Sequence, residues 1–234
     1  MLREKLELAA ESTILREAGR VQVHDVLDAR LASALCHCLE HATPWSLAIK
    51  TATESRTVES AQYSQMDICA RRKVYDQAAK DYTEDEFAFA YDSYPMIRKY
   101  MEKADPGLLL HRVTEAMNGP MWLGMARELT GDERIRRSDC QATCYRPGQF
   151  LTHHDDDEPE TGRLYAYVLS LTRAWRADWG GLLQFLDDRL RVCETFHPEF
   201  NCLTVFRVPQ RHCVSVVAPF AQAPRLSITG WFLK

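Results

Sequence analysis

The pattern of short apolar runs from Ser138 to the C-terminus constrains the fold of this chain more than any other feature. These runs are separated by Pro, Gly or Asp, which end strands and form turns. Short strands at this spacing are typical of a β-sandwich or β-barrel. The runs, which we predict to be strands, are 141–145, 150–152, 164–171, 182–186, 202–207, 214–217 and 226–232.

The residues before Ser138 have a mainly helical pattern. Asp28 is a suitable N-cap, and Pro106 and Pro120 each stand at a tolerated first-turn position. The segment 51–64 is polar and turn-rich, which predicts a mobile loop. The predicted helices are 2–18, 28–40, 106–118 and 120–130, and the predicted strands are 21–24 and 45–50.

These elements predict an α+β protein in which helices pack outside a C-terminal β-core. No linker, internal repeat or low-complexity segment divides the chain. We therefore expect one domain over 1–234, with a mainly helical part at 1–137 and the β-core at 138–234.

The composition is that of an ordinary globular chain, with 46% hydrophobic and 26% charged residues. The net charge is −4, from 29 basic and 33 acidic residues, and it gives no reason to expect a nucleic-acid surface. The first twenty residues carry charges where a secretory leader would be apolar, and no apolar run is long enough to span a membrane. The eight cysteines lack paired zinc-site spacing. We expect a cytoplasmic protein with buried, reduced thiols.

Three His-x-Asp/Glu triplets are candidates for metal binding, although about one would occur by chance in this composition. Alternate residues of a strand point to the same side, so such a triplet at a strand end can direct two ligands at one ion. A later histidine, His212, would arrive from a strand on the opposite wall of the barrel. Two imidazoles and one carboxylate suit ferrous iron with open coordination positions. The triplets begin at His153, His154 and His197, and the last is predicted to lie in a loop.

Four sequence blocks in order resemble the prolyl 4-hydroxylase superfamily of Fe(II)- and 2-oxoglutarate-dependent oxygenases. The likeness covers about 138–234 and is nearest to bacterial relatives of the ribosomal-protein prolyl hydroxylases. The blocks are 145–156 (YRPGQFLTHHDD), 179–185 (WGGLLQF), 208–212 (VPQRH) and 224–231 (PRLSITGW).

The resemblance implies a double-stranded β-helix, or jelly roll, supported by N-terminal helices. It implies a dioxygenase that uses Fe(II), 2-oxoglutarate and O2, with ascorbate as an optional reductant, and that releases succinate and CO2. Arg225 would pair with the far carboxylate of 2-oxoglutarate, because arginine offers a permanently charged fork of donors. Ser227 and Tyr145 would be further contacts of the co-substrate. The metal ligands would be His154, Asp156 and His212.

Two positions leave alternatives open. Collagen-type relatives would place the ligands at His153 and Asp155, whereas the ribosomal-type branch has a His-Asp-Asp triplet that fits His154 and Asp156, which we favour. Many relatives have a tyrosine where this chain has Ser170, and one hydrogen bond to the co-substrate is therefore in doubt.

The substrate implied by the resemblance is a prolyl residue in a protein or peptide, a ribosomal protein being one candidate. The alternative is the same chemistry on a free amino acid or a peptide natural product. Substrate choice would lie in the loops 51–64 and 157–163. An acidic run around the ligand strand would suit a basic protein partner; it consists of Asp155, Asp157, Glu158 and Glu160.

Overall fold

The computed structural model describes residues 1–83 and 86–234, and its described strands form one curled antiparallel sheet. The strands are β1 (Arg20–His24), β2 (Ser46–Lys50), β3 (Ser55–Val58), β4 (Phe89–Tyr94), β5 (Arg137–Ser138), β6 (Gln141–Tyr145), β7 (Phe150–His154), β8 (Arg163–Ser170), β9 (Leu183–Leu186), β10 (Val192–Phe196), β11 (Cys202–Arg207), β12 (His212–Val214) and β13 (Arg225–Leu233). The helices are α1 (Ala9–Ala18), α2 (Ala29–His41), α3 (Ser60–Gln65), α4 (Ile68–Lys80), α5 (Met96–Met101), α6 (Leu109–Met117) and α7 (Pro120–Thr130).

Side chains of β1 connect it to the other end of the curled sheet, at and just after β10. Its hydrogen-bonded order is β1-β11-β8-β13-β6-β4-β7-β12-β9-β10. Arg20 of β1 donates to Glu194 of β10, and Gln22 Nε2 donates to the carbonyl of His197 at 3.3 Å. Apolar side chains fill the interior, while a second and larger apolar cluster lies between the sheet and helices that include α1, α2, α6 and α7. The predicted α+β fold with a double-stranded β-helix core is confirmed.

The β-core is larger than the predicted region 138–234, because strands from the first part of the chain belong to the same sheet. β4 lies between β6 and β7 and also pairs with β2. The sequence analysis missed β4. Its signal is the alternation of aromatic and small residues in 87–91 (FAFAY), a period of two that indicates a strand.

The predicted helix bounds agree best with the structure where a capping residue marks the end of the helix. Asp28 accepts hydrogen bonds from the amides of Arg30 and Leu31, and Gly131 ends α7 in the left-handed conformation at φ 68°. α1 begins seven residues later than predicted, because Leu2 forms a β-bridge with Leu27 instead. α6 begins at Leu109, so Pro106 does not open it.

The prediction of a mobile loop at 51–64 is wrong. This segment contains β3 and the start of α3. Val58 and Tyr63 are buried and pack with Tyr75 of α4 and Phe150 of β7. The sequence analysis also missed α4, α5, β5 and β10, and it placed the strand that begins at His212 two residues too late.

The eight cysteines all lie within the described residues and are free. Five are buried and Cys213 is partly buried, whereas Cys69 and Cys193 are exposed, so the expectation of uniformly buried thiols is wrong for these two. Among the helices in the described part of the chain, none has both the length and the apolarity that a membrane crossing requires.

Candidate metal centre and active-site cavity

The two candidate histidine ligands lie on neighbouring strands. His154 ends β7 and His212 begins β12, and the two are direct partners in the antiparallel ladder. Their ring centres are 4.1 Å apart. The expectation that His212 arrives from the opposite wall of the barrel is therefore wrong: strand pairing itself brings the two imidazoles together.

Asp156 reaches the same point by a turn rather than by strand alternation. β7 ends at His154, and Asp156 has a φ of 62°. This left-handed conformation is uncommon for residues other than glycine, and aspartate tolerates it better than most. The spacing of two residues between His154 and Asp156 is as predicted. However, Asp156 stands in a left-handed turn after the end of the strand, and not in the extended strand that we predicted.

The three side chains point their ligand atoms at one another. Asp156 Oδ1 lies 3.5 Å from His154 Nε2, and Asp156 Oδ2 lies 3.6 Å from His212 Nε2. All three ligand atoms lie within 4.8 Å of one another. Two nitrogens and one carboxylate oxygen in this arrangement could hold a divalent metal ion, and the set fits Fe(II).

Backbone carbonyls fix the tautomer of both rings. His154 Nδ1–H donates to the carbonyl of Thr152 at 3.0 Å, and His212 Nδ1–H donates to that of Gln210 at 2.8 Å. A carbonyl only accepts, so each Nδ1 carries the proton and each Nε2 keeps a free lone pair. Burial, followed by the charge of His212, lowers the pKa of His154 to about 4, and burial also lowers that of His212. Both imidazoles are therefore neutral at pH 7, as metal ligands must be.

The alternative ligands lie elsewhere. Within the described residues, neither His153 nor Asp155 joins the cluster. Asp155 is exposed, and its Oδ1 accepts the amide of Asp157 at 3.1 Å. His197 lies in a loop, as predicted.

The cluster opens into a cavity of about 360 Å³ that Arg225 and Tyr145 also line. Arg225 is 3% exposed, its Nε has no hydrogen-bond partner, and the described residues contain no ion pair to it. Burial lowers the pKa of this guanidinium from its usual range. A buried cation without a counter-ion is costly, so this end of the cavity is suited to an anionic ligand.

Ser227 and Ser170 lie near the cavity but do not line it. Ser227 is fully buried, and its Oγ lies 2.8 Å from Thr143 Oγ1, which does line the cavity. Ser170 is the direct partner of Ser227 in the β8–β13 ladder, and its Oγ has no hydrogen-bond partner. Thr143 is therefore a polar cavity residue that the sequence analysis did not identify.

A row of aromatic rings forms one wall of the cavity, and the sequence analysis missed most of it. Phe87 stacks on the ring of His154 at 4.5 Å. The ring centres then follow one another at 5.4, 5.1 and 5.1 Å through Phe89 and Tyr91 to Tyr145. This apolar wall connects the metal cluster with the arginine end.

Arg163 and Trp231 line another part of the cavity. The Arg163 guanidinium lies 3.8 Å above the ring of Trp231, and it pairs with Glu158 at 3.1 Å. Arg163 Nε and Trp231 Nε1 are both buried without an acceptor, and both residues line the cavity. Both nitrogens are enclosed by protein atoms, so the surface that these residues offer the cavity is the rest of the guanidinium and of the indole ring.

Comparison with known proteins agrees with this geometry. Residues 140–233 match the model of the 2OG-Fe(II) oxygenase superfamily. No curated protein sequence matches the chain. Many solved structures share its fold.

Three of these structures are those of two prolyl hydroxylases and one epimerase. A prolyl-4-hydroxylase from Pseudomonas putida is 21% identical with a TM-score of 0.59, over 97% of this chain and 99% of that one. A Trichoplax adhaerens prolyl hydroxylase, solved with a hypoxia inducible factor oxygen degradation domain peptide fragment, is 14% identical with a TM-score of 0.56, over 99% and 94%. The non-heme alpha ketoglutarate dependent epimerase SnoN from nogalamycin biosynthesis is 15% identical with a TM-score of 0.55, over 97% and 82%. The resemblance that the sequence motifs predicted is thereby confirmed: residues 140–233 match the 2OG-Fe(II) oxygenase superfamily, on a fold that prolyl hydroxylases share.

Proposed function

We propose that this protein is an Fe(II)- and 2-oxoglutarate-dependent dioxygenase that hydroxylates a prolyl residue in a protein or peptide. The observation that carries the proposal is the presence, in one cavity, of the cluster His154, Asp156 and His212 and of the buried, unpaired Arg225. When bound, iron and 2-oxoglutarate supply the oxidation: one oxygen atom of O2 enters a substrate C–H bond, and the other enters succinate as CO2 leaves.

The residues of the chain have separate tasks in this scheme. His154, Asp156 and His212 would hold the metal through two nitrogens and one carboxylate oxygen. Arg225 binds the far carboxylate of the co-substrate, with Tyr145 and the Thr143–Ser227 pair beside it. The aromatic wall excludes water and offers an apolar surface to the substrate.

The substrate side of the cavity favours a peptide. The Arg163 guanidinium and the Trp231 ring line it, and a peptide offers backbone carbonyls to the one and an apolar surface to the other. A prolyl ring is apolar and would pack against Phe87 and Phe89. The acidic residues at the mouth suit a basic protein such as a ribosomal protein.

The same chemistry on a free amino acid or a peptide natural product is the second candidate. It is favoured by the similarity to an epimerase of a biosynthetic pathway.

The test has two stages. Anaerobic addition of Fe(II) and 2-oxoglutarate should give a weak visible charge-transfer band, which would be absent if the co-substrate did not bind. Mass spectrometry of the host proteome with and without the enzyme should then show +16 Da on prolyl residues. Turnover of a small metabolite at a rate that no peptide matches would favour the second candidate.

A further inference from the structure

Within the described residues, the Arg225 side chain makes no hydrogen bond, so packing holds it. Its Nε has no partner, and its Cζ lies 5.2 Å from the centre of the Tyr145 ring. Arginine is long and flexible, so contacts along its aliphatic stem decide where the guanidinium stands.

Gly181 lies directly against that stem. A Cβ built on Gly181 would lie 3.5 Å from Arg225 Cδ, 3.2 Å from Trp175 Cζ2 and 3.1 Å from Val217 Cγ2. The residue also has a φ of 61°, which glycine adopts without strain. An added methyl group would be too close to Trp175 and Val217, whereas its distance to Arg225 Cδ is that of an ordinary contact. Relief of the two close contacts would therefore push the methyl group toward the arginine stem.

Two of the three neighbours are fixed. Trp175 Nε1 donates to the carbonyl of Gly180 at 2.9 Å, and its ring packs edge-on against Trp179 at 5.2 Å. Val217 is fully buried, and its amide donates to the carbonyl of Gln149 at 3.0 Å. The arginine stem, which no hydrogen bond restrains, is the neighbour that can move.

We propose that Gly181 and Trp175 are positioning residues, which fix the Arg225 guanidinium and thereby set the affinity of the site for the far carboxylate of its dicarboxylate co-substrate. This inference rests on the proposed use of 2-oxoglutarate. Neither residue lines the cavity, so their effect acts through Arg225.

The decisive variant is Gly181→Ala, with Gly131→Ala as its matched control. Both glycines have left-handed backbones, at 61° and 68°, but a Cβ on Gly131 would meet nothing within 4 Å. The two variants therefore share the backbone penalty and differ in the contact. Calorimetric titration with Mn(II), which permits binding without turnover, gives the Kd for the metal and then for 2-oxoglutarate. We expect Gly181→Ala to weaken 2-oxoglutarate binding by roughly tenfold or more relative to Gly131→Ala, with the Kd for Mn(II) unchanged.

A second variant tests the direction of the effect. Trp175→Phe removes the ring atoms that lie next to Gly181. Gly181, and with it the arginine stem, then becomes less well fixed, and 2-oxoglutarate should bind a few-fold more weakly. In the double variant the smaller ring makes room for the new methyl group, so the loss should be less than the sum of the two single losses. Trp175→Phe also carries the test if Gly181→Ala does not fold.

The outcomes separate the two proposals. Gly181→Ala and Trp175→Phe binding 2-oxoglutarate as tightly as Gly131→Ala would overturn the positioning role. Equal loss of Mn(II) and 2-oxoglutarate affinity would also overturn it, since that result indicates general disruption. If the wild-type protein with Mn(II) does not bind 2-oxoglutarate, the proposed function itself fails.

Discussion

The two ends of the cavity are built in different ways. At the metal end, each imidazole is oriented by a hydrogen bond to a carbonyl only two residues earlier in its own segment, Thr152 for His154 and Gln210 for His212. At the other end, Arg225 has no such restraint and relies on neighbours distant in sequence. At the metal end, strand pairing brings the two imidazoles together and local hydrogen bonds orient them, whereas long-range packing alone positions the guanidinium at the arginine end. The two ends should respond separately to mutation.

The largest effect is expected at the metal end. His154→Ala and Asp156→Ala should each abolish metal-dependent turnover, because two remaining ligands hold Fe(II) weakly. His153→Ala and Asp155→Ala, one residue away in each case, are the controls and should leave measurable activity. Metal content and co-substrate decarboxylation check both pairs. The reverse pattern would assign the metal to His153 and Asp155.

At the arginine end, Arg225→Ala should weaken 2-oxoglutarate by roughly two to three powers of ten, because a carboxylate left without its buried partner costs about 3–5 kcal/mol. Arg225→Lys should recover part of this loss, since it keeps the charge but not the fork. The Kd for Mn(II), measured in the same titration, should not change. An Arg225→Ala variant with wild-type affinity for 2-oxoglutarate would mean that another cation binds the carboxylate.

In a third region, outside the cavity, a buried carboxylate connects several side chains. Asp92 is fully buried and accepts from Tyr63 Oη at 2.7 Å, Gln149 Nε2 at 2.6 Å and Arg146 Nε at 2.7 Å. Asp92→Ala leaves these donors without an acceptor and should lower the free energy of unfolding by about 3 kcal/mol. Urea denaturation measures this. A loss below about 1 kcal/mol would show that water replaces the carboxylate.

The smallest effect is expected at the mouth. Asp157→Asn together with Glu160→Gln should raise the KM for a basic proline-containing peptide a few-fold, because rim charges mainly steer association. Uncoupled decarboxylation of 2-oxoglutarate should not change. The same two-charge loss at exposed positions on α1 and α7, Glu17→Gln with Glu128→Gln, is the control. An equal KM in both double variants would exclude docking through this acidic run.

Much of the β-core was predictable because Pro, Gly and Asp separate its strands. β6, β11 and α7 have the predicted bounds. The misses have a common cause: they are segments whose burial depends on partners far along the chain. α4 has a polar composition and is fixed through Tyr75, and β3 has a single buried residue, Val58.

By itself, the sequence predicted a type of chemistry and the candidate residues for it, because ligand types, spacing and motif order are properties of the chain alone. Only the tertiary structure decided that His212 pairs beside His154, that Asp156 arrives through a left-handed turn, and that Phe87 and Tyr91 wall the cavity. It also decided that Gly181 lies close to both Trp175 and the stem of Arg225. The physical reason is that strand pairing and side-chain packing bring together residues that are far apart along the chain, and local sequence patterns do not indicate such contacts.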